Sequence, residues 1–171
     1  SKIAERLSAL DDFVICGHIN PDGDCLGSQL ALCHALRAMG KTAHCVLAKA
    51  DPIEANLMFL PGVEEIEVAS EYQGPISVFI AVDVPTVERI GLAVELQSKA
   101  SVRFTIDHHA TEGSMSEYNY VDPDSPSASM LVFRFFMFKI SFTLSSRGAA
   151  AKLCAAALCI CLSAKSKSVS A

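Results

Sequence analysis

Apolar and polar positions follow two different periods along the first 110 residues. Short apolar runs at 13–17 and 76–82 (I-S-V-F-I-A-V), rich in β-branched and aromatic residues, predict buried strands, and 101–106 (S-V-R-F-T-I) predicts another strand. Between the first two, Leu26, Leu30, Cys33, Leu36 and Met39 recur at helical spacing and predict a helix over 25–39, with Gly40 as its C′ glycine. A short helix is expected at 2–10, a strand at 42–48 and a short strand at 63–68. A further helix is expected at 52–60, with Asp51 as N-cap and Pro52 at N1, stopped by Pro61-Gly62. Residues 86–99 carry one or two helices around Gly91, and 111–124 form a polar loop holding a short strand at 118–121. Helices are expected at 127–140 and 148–163, before a disordered Ser/Lys-rich tail at 164–171. Strands alternating with helices predict an α/β fold, a mostly parallel sheet flanked by helices, in one domain over 1–163.

Composition narrows the class. The chain has 171 residues, 51% hydrophobic and 19% charged, which gives a sizeable core and excludes wholesale disorder. No apolar stretch reaches the ~20 residues of a membrane span. The most apolar segment, 153–162, is too short, so no membrane partner is expected. No cleavable signal is expected at the N-terminus, where residue 1 is Ser. The seven cysteines are odd in number and contain no C-x-x-C pair, which fits reduced, buried thiols in a cytoplasmic protein. The net charge of −5 is unevenly spread: all 19 acids lie at or before Asp124, while the last 47 residues hold six basic residues and no acid.

The candidate chemistry collects where the strands end. The first apolar run leads into C-G-H-I-N-P-D-G-D-C-L-G-S, which places His18, Asp22 and Asp24 on a strand-to-helix loop. The second ends at Asp83 and the third at Asp107-His108-His109. In an open parallel sheet all strand C-termini share one edge, so the three loops meet there. Carboxylates gathered in one pocket repel unless cations share them, and Asp and His suit two hard divalent ions that activate water. Gly27 and Ser28 at the helix start would let a phosphate approach free backbone N–H groups. The competing reading of the first loop is an Asx-rich turn with a helix N-cap. His34 and His44 read as surface or packing histidines, Phe133, Phe135, Phe136 and Phe138 as core, and Lys165 and Lys167 as solvated.

H-x-N-P-D-G-D-x-x-G-S, then V-D-x-x-x-x-x-R from Val82 to Arg89, then D-H-H resembles the DHH phosphoesterase superfamily. The resemblance covers about 10–139 and is strongest to the bacterial oligoribonuclease and phosphoadenosine phosphate phosphatase group, through G-H-I-N-P-D-G-D-C-L-G-S and V-D-P-D-S-P-S-A-S. It implies two Mn²⁺ ions, one on His18 and Asp22, the other on Asp24 and His108, with Asp83 bridging. His109 would contact the scissile phosphate, Asp107 would fix the imidazoles, and Arg89 would steady Asp83 or reach a substrate phosphate. The implied activity is hydrolysis of short oligonucleotides, linear or cyclic dinucleotides, or phosphoadenosine phosphate. The implied partner is a short nucleotide rather than a long duplex, and a homodimer is open.

Two features depart from the family pattern. The family's fourth motif, D-T-G, would place its Asp near Lys165 or Ile160, and no acid follows Asp124. The C-terminal substrate clamp carries G-G-G-H, and this chain has no Gly-Gly pair. A weakened second metal position and a weak or inactive catalyst are therefore expected. The rivals are a truncated or non-catalytic domain that binds metal or nucleotide, and an inorganic pyrophosphatase.

Overall fold

Phe13-Val14-Ile15-Cys16 forms the first strand, and no side of it reaches water: every residue is buried. A strand buried on both faces must lie inside a sheet covered by helices on each side. The computed structural model, which describes residues 6–110 and 114–143 with side chains as far as Phe135, has that architecture. Its strands are β1 (Phe13–Cys16), β2 (Ala43–Leu47), β3 (Glu67–Val68), β4 (Val78–Val82), β5 (Val102–Asp107) and β6 (Tyr118–Val121). They form one sheet in the order β3-β2-β1-β4-β5-β6. Every pairing is parallel. The helices are α1 (Gly23–Ala38), α2 (Val94–Lys99) and α3 (Ala128–Thr143). No helix among the described residues is long and apolar enough to cross a membrane.

Alternation along the strands builds two cores. Phe13 and Ile15 of β1 and Val78, Ile80 and Val82 of β4 face one layer, where α1 supplies Leu26, Leu30 and Leu36 and α3 supplies Leu131 and Val132. Val14, Cys16, Phe79 and Ala81 face the other, packed against Ile90, Ala93 and Leu96. Fully burying each large apolar side chain contributes ~1.5–3 kcal/mol.

Local chemistry explains the element ends. Asp22 caps α1, its Oδ1 accepting the N–H groups of Asp24 and Cys25 at 3.0 Å each. At the other end Gly40 takes φ +78°, Gly40 N–H donates to Arg37 C=O, and Lys41 N–H donates to Leu36 C=O, the paired bonds of a Schellman cap. Gly91, at φ +47°, could carry no side chain, because a Cβ there would lie 2.5 Å from the Ala48 carbonyl oxygen. It kinks a 3₁₀ segment, Val87–Ala93, that leads into α2.

Two expectations are corrected. Residues 52–60 form no α-helix, only a 3₁₀ turn at Ala55–Leu57. Asp51 does not cap it; its carboxylate pairs with Lys49 at 2.5 Å. The buried positions are Leu57, Leu60 and Val63, a spacing of three that suits 3₁₀ turns, which eclipse side chains at i and i+3. Residues 63–68 likewise divide into a 3₁₀ turn, Val63–Glu65, and the two-residue β3. The N-terminal helix is seen at residues 6–8. The expected helix at 148–163 and the tail lie outside the described residues.

One surface pair ties β6 to β5. The Glu117 carboxylate accepts the Arg103 backbone N–H at 2.9 Å and its Nε–H at 3.0 Å. That hydrogen bonding pulls the Glu117 carboxyl down to about 2 from an ordinary 4.5. A carboxyl with a lowered folded-state pKa contributes stability above its unfolded value and loses it as pH falls through the folded one. Both side chains are more than a third exposed, so screening leaves ~0.5–1 kcal/mol. Glu117→Gln should therefore be less stable than wild type by that amount at pH 7, and the gap measured by urea unfolding should narrow from pH 4.5 downward. A gap that widens in acid would refute the assignment.

Candidate metal centre

The strand order reverses between β1 and β4, because the chain runs outward through β2 and β3 and then crosses back to start β4 beside β1. Such a reversal opens a crevice at the carboxyl ends of the two strands, where ligands bind in open α/β sheets. His18 follows β1 by two residues, and Asp83 directly follows β4. The two face each other across the crevice, His18 Nε2 standing 3.6 Å from Asp83 Oδ2.

Asp83 is held under strain. Its φ is +59°, a left-handed conformation uncommon for a residue with a side chain, and it is 3% exposed. Its N–H continues the sheet by donating to Ile106 C=O at 2.9 Å. Among the described residues its Oδ1 has no hydrogen-bond partner, and neither does His18 Nδ1. A buried polar atom without a partner is costly, and an anion more so, unless a cation completes it.

The third loop closes over the same carboxylate. His108 Nε2 lies 3.4 Å from Asp83 Oδ1 and 3.7 Å from Asp24 Oδ2, and His109 Nδ1 lies 3.7 Å from Asp83 Oδ1. These separations exceed a hydrogen bond. They fit donors sharing an ion, since two atoms each ~2.1 Å from one cation stand roughly 3–3.5 Å apart. His108 Nδ1 lies 3.3 Å from Ser125 C=O, a contact that fixes Nδ1 as the protonated nitrogen and leaves Nε2 a lone pair toward the carboxylates. Asp107, 1% exposed, binds His109 Nδ1 at 2.7 Å and accepts the His108 backbone N–H at 2.9 Å through the same oxygen. It therefore orients both residues after β5.

Among the described residues, two groups of three donors have ligand atoms within 4.8 Å of one another: His18, Cys25 and Asp83, and Asp83, His108 and His109. Asp83 is common to both. Asp22 is in neither and is exposed, with one oxygen engaged as the α1 cap. Asp24 reaches His108 but is otherwise engaged with α3: its Oδ2 accepts Ala128 N–H at 2.8 Å and its Oδ1 accepts Ser129 N–H at 2.9 Å. Arg89 is exposed and forms no ion pair with Asp83, its backbone C=O accepting Ile19 N–H instead.

One expectation fails on geometry. Gly27 and Ser28 are buried in the second turn of α1, because the Asp22 cap starts the helix at Gly23. Their N–H groups belong to the helix ladder, so they offer no free donors to a phosphate. Sequence reasoning does not single out Cys25, which the fold places beside His18 and Asp83. Its Sγ accepts His18 N–H at 3.3 Å, and burial, reinforced by the Asp83 charge, pushes its thiol well up.

The model of the DHH family, N-terminal domain, matches residues 12–162. The bifunctional oligoribonuclease and PAP phosphatase NrnA of Thermus thermophilus is 36% identical over 132 residues, covering 76% of this chain and 38% of that protein. Its namesake from Bacillus subtilis is 26% identical over 137 residues, covering 80% and 42%. The chain thus spans about two fifths of these relatives' length. Among solved structures, an exopolyphosphatase-related protein from Bacteroides fragilis superposes with a TM-score of 0.72 at 26% identity, over 80% of this chain and 42% of that one. With the three strand-end loops meeting on one buried carboxylate and the family model matching most of the sequence, the chain belongs to the DHH family.

Proposed function

We propose that this chain is a metal-dependent hydrolase of phosphate esters, acting on short oligonucleotides, linear or cyclic dinucleotides, or phosphoadenosine phosphate. The observation that carries the reading is Asp83: buried, strained, and presenting one oxygen to His18 and the other to His108 and His109. The donor set of imidazoles and carboxylates fits divalent ions, with His18, Asp22 and Asp83 holding one and Asp24, His108 and Asp83 the other. Two such ions, Mn²⁺ in this reading, would lower the pKa of a shared water and neutralise charge on the phosphate. His109, oriented by Asp107 and 44% exposed at its side chain, is placed to hydrogen-bond the scissile phosphate. Arg89, exposed and unpaired with Asp83, is free to meet a substrate phosphate. The names of the Thermus and Bacillus relatives support the nucleotide substrates. A net charge of −5 argues for a short substrate gripped locally rather than a long duplex tracked by a basic surface.

Catalytic efficiency on a dinucleotide, on phosphoadenosine phosphate and on pyrophosphate with Mn²⁺ tests the proposal. Higher efficiency on pyrophosphate than on either nucleotide would overturn it. A second reading, metal binding without useful turnover, is favoured by the absence of any acid after Asp124. The fourth-motif position near Lys165 lies outside the described residues. If the second ion lacks one anionic ligand, the chain should turn over more slowly than ~1 s⁻¹, below the ordinary enzyme range. Faster turnover would exclude the second reading.

A further inference from the structure

The segment between β6 and α3 reads D-P-D-S-P-S-A-S from Asp122 to Ser129, and its serines, Ser125, Ser127 and Ser129, are all buried. A buried hydroxyl is costly unless it is hydrogen-bonded, and each of these finds a partner within the segment itself. Ser125 Oγ donates to Ser127 C=O at 3.0 Å, and the Ser127 and Ser129 hydroxyls are hydrogen-bonded to each other at 2.9 Å. The backbone of Ser125 is restrained as well. Its N–H donates to Asp122 C=O at 3.0 Å, and Pro126 after it disfavours the helical region. Hydroxyl, N–H and proline together fix where the Ser125 carbonyl points, and that carbonyl meets His108 Nδ1 at 3.3 Å. A few residues on, the Ala128 and Ser129 N–H groups hold the two oxygens of Asp24. One short segment therefore grips both Asp24 and His108, whose Oδ2 and Nε2 face each other at 3.7 Å.

We infer that Ser125 is a positioning residue for the metal position of Asp24, Asp83 and His108: its hydroxyl ties the carbonyl that sets the His108 tautomer to the start of α3, which holds Asp24. The inference rests on the reading of those three residues as metal ligands. A neutral imidazole carries its proton on one of two nitrogens, and only the Nδ1–H form leaves Nε2 a lone pair for a cation. A carbonyl held at Nδ1 selects that form before any metal arrives. Without the Ser125 hydroxyl the carbonyl is free to turn, and part of the population takes the Nε2–H form, which has to move its proton before it can bind. The position at His18 draws on the β1 loop and shares only Asp83 with this one, so its affinity should be preserved.

Two measurements on the full chain test this. In metal-free protein carrying ¹⁵N-labelled histidine, long-range ¹H–¹⁵N correlation spectra read the tautomer of the neutral His108 ring. Wild type should show Nδ1 protonated and Nε2 bare, and Ser125→Ala should show a mixture of the two forms. Calorimetric titration of Ser125→Ala with Mn²⁺ should give ~10-fold weaker binding at the second equivalent, the lower end of what an outer partner of a ligand costs, with the first equivalent unchanged. Ser125→Thr keeps the hydroxyl and should restore both readouts. A wild-type ring protonated on Nε2 would overturn the inference. So would a Ser125→Ala protein that loses stability but keeps the wild-type tautomer and Mn²⁺ affinity, since Ser125 would then be structural and the metal reading would stand. Ser125→Thr behaving like Ser125→Ala would overturn the role of the hydroxyl. No Mn²⁺ binding by wild type would overturn the metal reading beneath the inference and the inference with it. If Ser125→Ala does not fold, Pro126→Gly decides. Pro126 is exposed, and its replacement releases the Ser125 backbone, so a mixed His108 tautomer supports the positioning role and an unchanged one refutes it.

Discussion

Asp83→Ala is expected to abolish divalent-metal binding at both positions and reduce hydrolysis to background. Among the described residues, no other side chain presents oxygens to imidazoles from both the β1 and β5 loops, with His18 at 3.6 Å on one side and His108 at 3.4 Å on the other. Thermal unfolding gives a readout independent of turnover. A ligand at ~100 times its dissociation constant stabilises the folded state by about 2.7 kcal/mol per site. For a chain of this size, ~2–4 °C per kcal/mol, that is a rise of roughly 5–10 °C in Tm per occupied site for wild type and none for the variant. Asp83→Asn separates the site's cost from its use. Asparagine tolerates the left-handed backbone at φ +59° and removes a buried charge whose Oδ1 has no hydrogen-bond partner among the described residues. Without metal it should match or exceed wild-type stability, by ~1 kcal/mol; with metal it should fall behind. Equal Mn²⁺-dependent shifts in wild type and Asp83→Ala would refute the shared-carboxylate assignment.

The candidate ligands could be read from the chain because they follow strand patterns. His18 and Asp83 follow runs whose apolar, β-branched residues read as buried strands, and Asp107-His108-His109 ends a third strand pattern, whose first two residues, Val102 and Arg103, are only partly buried. The order of the strands was not evident. Parallel strands joined by crossovers can be laid down in several sequences, and only the return of β4 to the side of β1 puts His18 opposite Asp83. The helix expected at 52–60 failed because Leu57 and Leu60 satisfy a three-residue period as readily as a helical one over so short a stretch. Gly27 and Ser28 were misplaced for a related reason: the apolar pattern of α1 begins at Leu26, whereas the helix begins at its cap, Asp22. Cys25 was hidden among apolar neighbours, since a thiol inside such a run reads as core. Its visible signal was position, one residue after Asp24 and opposite Gly17.

The engagement of Asp24 with α3 spans 104 residues and had one faint signal in sequence, because α3 carries no acid in its first turn. A helix N-terminus with free N–H groups attracts an anion, and this one takes its anion from α1. Asp24 accepts from Ala128 and Ser129, while Ser127 Oγ accepts Met130 N–H at 3.1 Å, so the first three N–H groups of α3 are all satisfied. Ala128 and Ser129 are 0% and 3% exposed, and water does not readily replace the carboxylate there. Asp24→Ala should therefore destabilise the metal-free protein by roughly 2–5 kcal/mol, the cost of two buried donors losing a charged acceptor. Asp24→Asn keeps one acceptor oxygen and should lose about half as much. Asp22→Ala removes an exposed cap and should cost only ~1 kcal/mol. Urea unfolding with an unchanged m-value reads all three differences directly. An Asp24→Ala variant within ~0.5 kcal/mol of wild type, or less harmful than Asp22→Ala, would refute the helix-anchoring role. The same bonds bear on the metal: Oδ2, which faces His108 at 3.7 Å, already accepts a helix N–H whose dipole draws on its charge, so Asp24 is a weaker donor than a free carboxylate and its position should fill at higher Mn²⁺ than the one at His18.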